Sequence, residues 1–299
     1  MGVPRHIVWF LLTVVTTTLV GIGHYEAFES NFGPSPVAPG NLWQYYLSHP
    51  WSGLWYSGGI LAILGAHEFG HYYACRHYRV DASLPYFLPA PILLTGTLGA
   101  FIRVRQPFKS KQELFDIGIA GPIAGFLVAV PVLVVGLALS RLSAIPPGFE
   151  GVELGEPLLF RAVAWLIWGT PPEGFSVNMH PLGFAAWFGL LATALNLFPI
   201  GQLDGGHISY AVLGRRSIAV TVGTVLCLMA LSTQSSSWIA WTVLTLATLA
   251  IFGPRHPPTP DEDVPLDRAR IWLAVFAVLM FVVCFTPAPI EPFVLVGRP

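Results

Sequence analysis

The sequence predicts an all-α polytopic membrane protein with about six to seven transmembrane helices and one short membrane-associated β-hairpin or re-entrant segment. Two properties of the composition support this fold class. Of the 299 residues, 54% are hydrophobic and only 10% are charged, whereas ordinary soluble domains contain about 25% charged residues. The mean hydropathy is positive, at +0.64. In addition, the apolar residues are gathered into runs of the length that a bilayer requires.

Seven apolar runs are candidate spans, because a helix needs about 17 to 25 residues to cross the hydrocarbon layer. They are the runs 7–23, 53–75, 114–139, 182–199, 217–231, 238–252 and 269–285. The fifth and sixth runs are short, which leaves six or seven spans. The first run is also compatible with a signal peptide, because Arg5 precedes it, but no A-x-A cleavage site follows. We therefore expect an uncleaved span.

The positive charges predict how these spans are oriented. With the N-terminus inside, twelve of the 15 lysines and arginines fall in inner segments, and the outer loops are acidic. The same orientation places Trp43, Trp51 and Trp55 at the outer interface, where amphipathic rings are enriched. We therefore expect a multi-pass protein of the bacterial cell inner membrane.

Two segments differ from simple spans. Residues 84–106 contain three prolines and two glycines, and end in an alternation of apolar residues with Arg103 and Arg105. This pattern predicts a hairpin or re-entrant segment with one β-like edge. Residues 157–169 combine one arginine with apolar and tryptophan residues, which predicts an interfacial helix on the outer surface.

Composition also excludes some functions. The formal net charge is −1 and no basic tract is present, so nucleic-acid binding is not expected. The three cysteines, Cys75, Cys227 and Cys284, form no C-x-x-C pair. Each lies in or beside an apolar run, so we expect each to be a small buried hydrophobic residue.

The second run contains the sequence HEFGH at residues 67–71, which fits H-E-x-x-H. On a helix, His67 and His71 share one face and can bind one Zn²⁺, while Glu68 lies beside the remaining position to act on a water molecule. This pattern arises by chance in roughly 1% of chains of this length and composition. Ionisable residues inside a span are costly, however, and indicate function. His67 lies about 24 Å along the helix from Trp51, so the site should be recessed near the cytoplasmic face.

A catalytic zinc site usually has three protein ligands, so a third is expected near the cytoplasmic ends of the spans. Two candidates follow the fourth run in the sequence NLFPIGQLDGGH, namely Asp204 and His207. Asp204 lies closer to the end of the span, beside Gly205 and Gly206, which permit close backbone approach. Asp204 is also a candidate cap of the following helix. Spacing alone leaves these alternatives open.

Together the two motifs resemble those of the site-2 protease family of intramembrane zinc metalloproteases. The family's second motif, N-x-x-P-x-x-x-L-D-G, matches at Asn196, Pro199, Leu203, Asp204 and Gly205. Between the motifs, the sequence GIAGPIAGF is similar to the small-residue central helix of the family. The outer loops show no resemblance to a PDZ domain, and the C-terminal region shows none to a nucleotide-sensing module. The chain is most similar to a compact subgroup with plastid and cyanobacterial members.

The resemblance implies one Zn²⁺ per chain, held by His67, His71 and Asp204. It implies that Glu68 is the general base and acid, and that Asn196 aids binding of the substrate or the oxyanion. The implied activity is hydrolysis of peptide bonds in or near transmembrane segments, as in regulated intramembrane proteolysis. The expected partners are transmembrane protein substrates and the lipid bilayer, and a homo-oligomer stays open.

Two structural expectations follow. The edge at residues 100–105 offers hydrogen bonds to an unwound substrate, because exposed backbone in a membrane needs partners. Small residues of the third run, which are Gly118, Gly121, Ala124 and Gly125, should let it pack closely against the zinc-binding helices.

These inferences divide the chain into three parts. Residues 1–50 form an N-terminal span and extracytoplasmic segment, residues 51–213 the catalytic core, and residues 214–299 accessory helices. Two alternatives remain: a membrane-embedded zinc hydrolase of a non-peptide substrate, and a non-catalytic metal-binding membrane protein. The second is disfavoured because transport paths normally carry ionisable residues on several spans. The seven apolar runs exclude a soluble metalloprotease.

Overall fold

The protein is a bundle of helices accompanied by short antiparallel strand pairs. The computed structural model describes residues 3–35, 37–38, 41–91, 94–234, 236–253 and 258–294. The helices are α1 (Val3–Ser30), α2 (Leu42–Ser48), α3 (Leu54–His77), α4 (Lys111–Leu139), α5 (Leu158–Trp168), α6 (Pro181–Asn196), α7 (Asp204–Leu213), α8 (Ser217–Leu231), α9 (Ser237–Phe252) and α10 (Arg268–Cys284). The strands are β1 (Tyr86–Pro89), β2 (Thr97–Phe101), β3 (Arg141–Ala144), β4 (Glu150–Leu154), β5 (Phe175–Asn178) and β6 (Ile290–Val294).

Three helices, α3, α4 and α6, form the centre of the bundle. Their contacts depend on small residues, because helices in lipid associate through close packing rather than through a hydrophobic driving force. A Cβ atom added to Gly136 of α4 would lie 2.4 Å from the backbone nitrogen of Gly183 on α6. One added to Gly189 of α6 would lie 2.7 Å from the side chain of Ile63 on α3. The core around these contacts is shielded from solvent, and Trp187 within it is only 1% exposed.

Three helical stretches of the described residues are long and apolar enough to cross a membrane. They are Pro4–Ser30, Lys111–Leu139 and Asp204–Leu231, the last joining α7 and α8 through a 3₁₀ turn. Helices α6, α9 and α10 have only 16, 16 and 17 residues. Helix α3 has 24 residues, but its histidines and glutamate lower its hydropathy. The membrane fold class is therefore supported, whereas the count of six to seven spans is not confirmed.

The predicted hairpin is present. Strands β1 and β2 pair antiparallel with one bulge, and beyond β2 the residue Val104 forms a single bridge with Ala82. Helix α1 fastens the turn of the hairpin, because the hydroxyl of Thr16 donates to the carbonyl oxygen of Gly96 at 2.7 Å. The β-like edge expected at residues 100–105 is therefore regular only to the end of β2.

Of the other elements, the sequence predicts helix α5 but not two of the strand pairs. Helix α5 forms where the interfacial helix was predicted, with Phe160 buried and Trp165 exposed; its position at a membrane surface stays a prediction. The antiparallel pairs β3–β5 and β4–β6 were not predicted.

Cys75 and Cys284 are buried as expected, but the prediction for Cys227 is wrong, because Cys227 is exposed. An apolar run in a membrane protein has a face toward lipid as well as a face toward the core.

An ion pair joins the C-terminal helix to the centre of the bundle. Arg270 of α10 donates from Nε and Nη2 to the two carboxylate oxygens of Asp116 on α4, at 2.9 and 2.6 Å. The hydroxyl of Tyr78, just after α3, donates to the same carboxylate. Burial, together with this hydrogen bond, raises the pKa of Tyr78, so Tyr78 stays a donor. The cluster therefore connects three helices that are distant in sequence.

We expect Arg270→Ala to lower the midpoint of thermal unfolding in detergent by several degrees. The substitution leaves the carboxylate of Asp116, whose side chain is 25% exposed, without its bidentate partner, at a cost of about 2 kcal/mol. Arg268→Ala is the matched control, because Arg268 is exposed on the same helix. Equal shifts for the two variants would contradict a specific role for the ion pair.

Candidate metal centre

The two histidines of HEFGH face the interior of the bundle from adjacent turns of α3. The Nε2 atoms of His67 and His71 lie 3.1 Å apart, and the two residues are 6% and 7% exposed. Their spacing of four residues brings both rings to one face of the helix. Glu68, between them in sequence, is also buried, at 6% exposure. The first motif therefore forms a buried cluster as predicted.

Asp204 completes this cluster from α7. Its two carboxylate oxygens lie 3.1 Å from Nε2 of His67 and 3.3 Å from Nε2 of His71. One ligand atom from each of the three residues falls within 4.8 Å of the others. His207 is not a member of any such group among the described residues, although it lines the adjacent cavity. The capping alternative is also not observed, because Leu203 occupies the N-cap position of α7.

Two glycines allow the start of α7 to approach the centre. A Cβ atom on Gly205 would lie 2.1 Å from the carbonyl oxygen of Leu197, and one on Gly206 would lie 2.3 Å from that of Gly201. Both distances are far below ordinary van der Waals contact. The sequence DGG therefore lets the chain reverse tightly after α6 and present Asp204 to the histidines.

A hydrogen bond orients one of the histidines. Nδ1 of His71 lies 2.7 Å from the carbonyl oxygen of Ile117 on α4, and therefore carries the proton and donates. Nε2 is then left with a lone pair directed toward Asp204 and His67. This is the usual arrangement of a metal-binding histidine. Two imidazoles and one carboxylate also match the ligand types of catalytic zinc sites, so the residues present fit Zn²⁺.

Helix α4 approaches the centre through small residues. A Cβ atom on Gly121 would lie 2.1 Å from Nε2 of His71, and one on Gly125 would lie 3.1 Å from Cβ of His67. A Cβ atom on Gly70 of α3 would lie 2.5 Å from the carbonyl oxygen of Ala120. The predicted role of Gly121 and Gly125 in close packing against the helix of the first motif is confirmed, and Gly70 adds a contact that was not predicted.

Gly121→Ala should weaken zinc binding by at least about tenfold, as loss of a supporting contact does in other zinc sites. The added methyl group would occupy the position of the His71 ring and displace Nε2. The measurement is zinc content per purified chain after dialysis against graded chelator. Gly58→Ala is the control, because no atom lies within 4 Å of its added Cβ on α3. Equal zinc retention in both variants would show that the ring can move aside.

Two cavities meet at the centre. One has a volume of about 290 Å³ and extends toward α8 and α9, and the other has about 220 Å³ and extends toward α4 and α7. Five residues line both cavities, namely His67, Glu68, Ala100, Asn196 and Leu203. The predicted base and the predicted polar aid therefore both face open space beside the ligands.

Glu68 and Asn196 are positioned by different elements. Glu68 lies within hydrogen-bonding reach of the backbone of Ile102, just beyond β2. Nδ2 of Asn196, the last residue of α6, lies 3.5 Å from Nε2 of His67. All five residues singled out from the two motifs are thus brought together.

The lining of the larger cavity includes residues that the sequence did not indicate. Leu228 of α8 and Trp241 and Thr245 of α9 belong to its wall. They fall in the region expected to hold only accessory helices. A single sequence carries no signal for them, since apolar residues facing a cavity resemble apolar residues facing lipid.

Comparison with known proteins finds one matching family and several similar proteins. The sequence model described as "Peptidase family M50" matches residues 55–231. "Probable zinc metalloprotease EGY2, chloroplastic" of Arabidopsis thaliana is 30% identical over 175 residues, which cover 58% of this chain and 31% of that protein. "Probable zinc metalloprotease EGY1, chloroplastic" is 32% identical in Oryza sativa subsp. japonica, over 70% of this chain and 38% of the relative. The Arabidopsis thaliana protein of that name is 31% identical, over 73% of this chain and 41% of the relative.

The chain spans about a third of the length of the curated relatives it matches, at 31% and 38%. These relatives are named as chloroplastic, so the expected bacterial inner membrane finds no support. The long apolar helices and the family match support a membrane location. The match to the family model covers more than half of the 299 residues and includes both motifs. The predicted family is therefore confirmed. The chain belongs to peptidase family M50, the site-2 protease family.

Proposed function

We propose that this protein is an intramembrane zinc metalloprotease that hydrolyses peptide bonds in or near transmembrane segments of other membrane proteins. The observation that carries the proposal is the convergence of the buried His67 and His71 with the half-buried Asp204, with ligand atoms within 4.8 Å of one another. Glu68 lies beside them on the same helix and faces both cavities. Three protein ligands with adjacent open space are typical of catalytic rather than structural zinc sites.

The chemistry of the site follows from these positions. Zn²⁺ held by His67, His71 and Asp204 would supply a Lewis acid that polarises the scissile carbonyl and lowers the pKa of a water molecule. The Glu68 carboxylate accepts the proton of the attacking water and returns it to the leaving amine. The amide of Asn196 can donate to the carbonyl oxygen of the substrate as negative charge develops there. The deep burial of the cluster limits competing bulk water.

We further propose that the substrate unwinds and pairs with β2. A helical substrate shields its carbonyl groups, and unwound backbone in a membrane needs new hydrogen-bond partners. Strand β2 pairs with β1 along one edge, and among the described residues its other edge is unpaired. Ala100 of β2 lines both cavities at the centre. Strand addition to this edge would therefore bring the substrate backbone beside Glu68.

The same proposal extends to the placement in the membrane. The shorter apolar helices, α6, α9 and α10, are proposed to cross together with the longer ones, which gives six to seven spans. The centre is proposed to lie near the cytoplasmic face, because Arg79, Arg103 and Arg105 are exposed close to it in sequence. Processing of regulatory single-span proteins and the division at residues 50 and 213 stay predictions.

We expect the full chain, reconstituted in liposomes, to cleave a single-span protein substrate in a zinc-dependent manner. Treatment with 1,10-phenanthroline should remove at least about 99% of the activity, and added Zn²⁺ should restore it, since the Lewis acid contributes several kcal/mol. Phospholipid products are measured in the same samples to test for a non-peptide substrate. Cleavage by protein shown to be free of metal would contradict the proposal, as would zinc-dependent hydrolysis of lipid alone.

A further inference from the structure

The larger cavity at the centre is apolar over most of its wall. Its polar lining residues are His67, Glu68 and Asn196, which lie at the metal centre, and Thr245. The remaining wall is built by apolar residues of α3, α6, α8, α9 and the loop before α7, together with β2. Apart from Thr245, the polar groups of the lining thus lie at the metal centre, and aliphatic and aromatic side chains make up most of the rest.

The second cavity at the same centre has a different lining. Gln202, Asp204 and His207 line it, and they accompany apolar residues from the segment after β2. In an extended substrate, successive side chains point in opposite directions. A substrate strand on β2 would therefore direct one side chain beside the scissile bond into the apolar cavity and the next one away from it.

The size of the apolar cavity restricts what it can accept. Its volume of about 290 Å³ is just below the range of about 300 to 1,000 Å³ that is typical of small-molecule pockets. Such a space is large enough for one large side chain. We propose that this cavity is a specificity pocket that takes one large aliphatic or aromatic side chain adjacent to the scissile bond. The inference rests on the proposed function and names the substrate class of the same site.

Hydrogen bonds hold in place the part of the pocket wall that α8 and α9 form. The hydroxyl of Thr242 on α9 donates to the carbonyl oxygen of Leu228 on α8 at 3.2 Å and lies 2.9 Å from the hydroxyl of Ser232. Thr221 of α8 donates to the carbonyl oxygen of Pro199 at 3.0 Å. Leu228 itself is only 2% exposed. These hydrogen bonds join α8 to α9 and to the loop after α6. We therefore expect this part of the wall to keep its position and to discriminate substrate side chains by their size.

The test uses single-span substrates that differ only at the residues on either side of the cleaved bond, with Ala, Leu, Phe or Asp at each. For the wild-type chain, we expect Leu or Phe at one of the two positions to be cleaved at least about tenfold faster than Ala or Asp, which is the discrimination that an apolar pocket provides. Thr245→Phe should reduce cleavage of the Phe substrate at least about tenfold relative to the Ala substrate. Ala247→Phe, two residues further along and exposed, is the matched control and should not change the ratio.

Trp241→Ala is the complementary variant, because it enlarges the pocket. It should shift the ratio of Phe to Leu cleavage toward Phe by about tenfold. If Glu68-dependent cleavage persists but Thr245→Phe and Trp241→Ala leave every ratio unchanged, the pocket assignment is wrong and the protease proposal stands. If wild-type protein and the Glu68→Gln variant process the substrates equally, both are wrong.

A binding measurement keeps the inference testable when a variant loses activity. A photoreactive amino acid at position 245 of the Glu68→Gln chain should crosslink to the residue beside the scissile bond. The same amino acid at position 247 should not crosslink to it. Crosslinking of equal yield at both positions would show that the substrate does not enter the pocket.

Discussion

Glu68→Gln should reduce peptide-bond hydrolysis by at least about 10³-fold while the zinc content stays near one per chain. The amide keeps the shape of the carboxylate but cannot accept the proton of the attacking water, and general base and acid catalysis contributes about 10² to 10⁴. The proposed metal ligands are other residues, His67, His71 and Asp204. Initial rates on a reconstituted single-span substrate, measured with zinc content on the same preparation, test this expectation.

Glu173→Gln is the matched control, because Glu173 is exposed and lines neither cavity. It should leave both rate and zinc content unchanged. A Glu68→Gln variant that retains wild-type rates would exclude Glu68 as the base. His207, which lines the smaller of the two cavities, would then be the next residue to substitute.

Asp204→Ala should lower zinc content from about one per chain to less than about 0.1 and abolish hydrolysis. The substitution removes both oxygens that face the histidines, at 3.1 and 3.3 Å. Loss of a direct ligand is expected to exceed the 10- to 100-fold loss of affinity seen when only a supporting residue is removed. The measurement is zinc content after dialysis, with near-ultraviolet circular dichroism to confirm that the chain is folded.

Asp263→Ala serves as the control, because Asp263 is an exposed aspartate in the segment before α10. It should bind zinc as the wild type does. Full zinc occupancy of folded Asp204→Ala would contradict the ligand assignment and would favour His207, the other candidate that the spacing allows. The double variant Asp204→Ala with His207→Ala would then distinguish the two.

Much of the centre could be predicted because its geometry is local. His67 and His71 lie four residues apart on one helix, so their shared face follows from helical periodicity alone. Asp204 is distant in sequence, and it was found because the loop charges placed the ends of two apolar runs on one side of the membrane. The choice between Asp204 and His207 needed the family resemblance first and the structure afterwards.

The remaining fold depends on contacts that no local pattern records. Strand β4 pairs with β6, the last strand of the described chain, and neither strand alternates clearly between apolar and polar residues. The walls of the apolar cavity were missed for a different reason. Trp241 and Leu228 belong to helices that are apolar all round, and in such helices hydropathy does not distinguish a cavity face from a lipid face.

The continuous stretch Asp204–Leu231 has an evolutionary consequence. It carries the proposed metal ligand Asp204 at its first residue and Leu228 of the proposed pocket near its end, so both belong to one connected element. We therefore expect sequence drift that repacks α8 to disturb the position of the Asp204 carboxylate as well. Trp241 and Thr245 lie on a separate helix and contribute no ligand. New substrate preferences within this family are therefore expected to arise through α9, where variation leaves the metal centre intact.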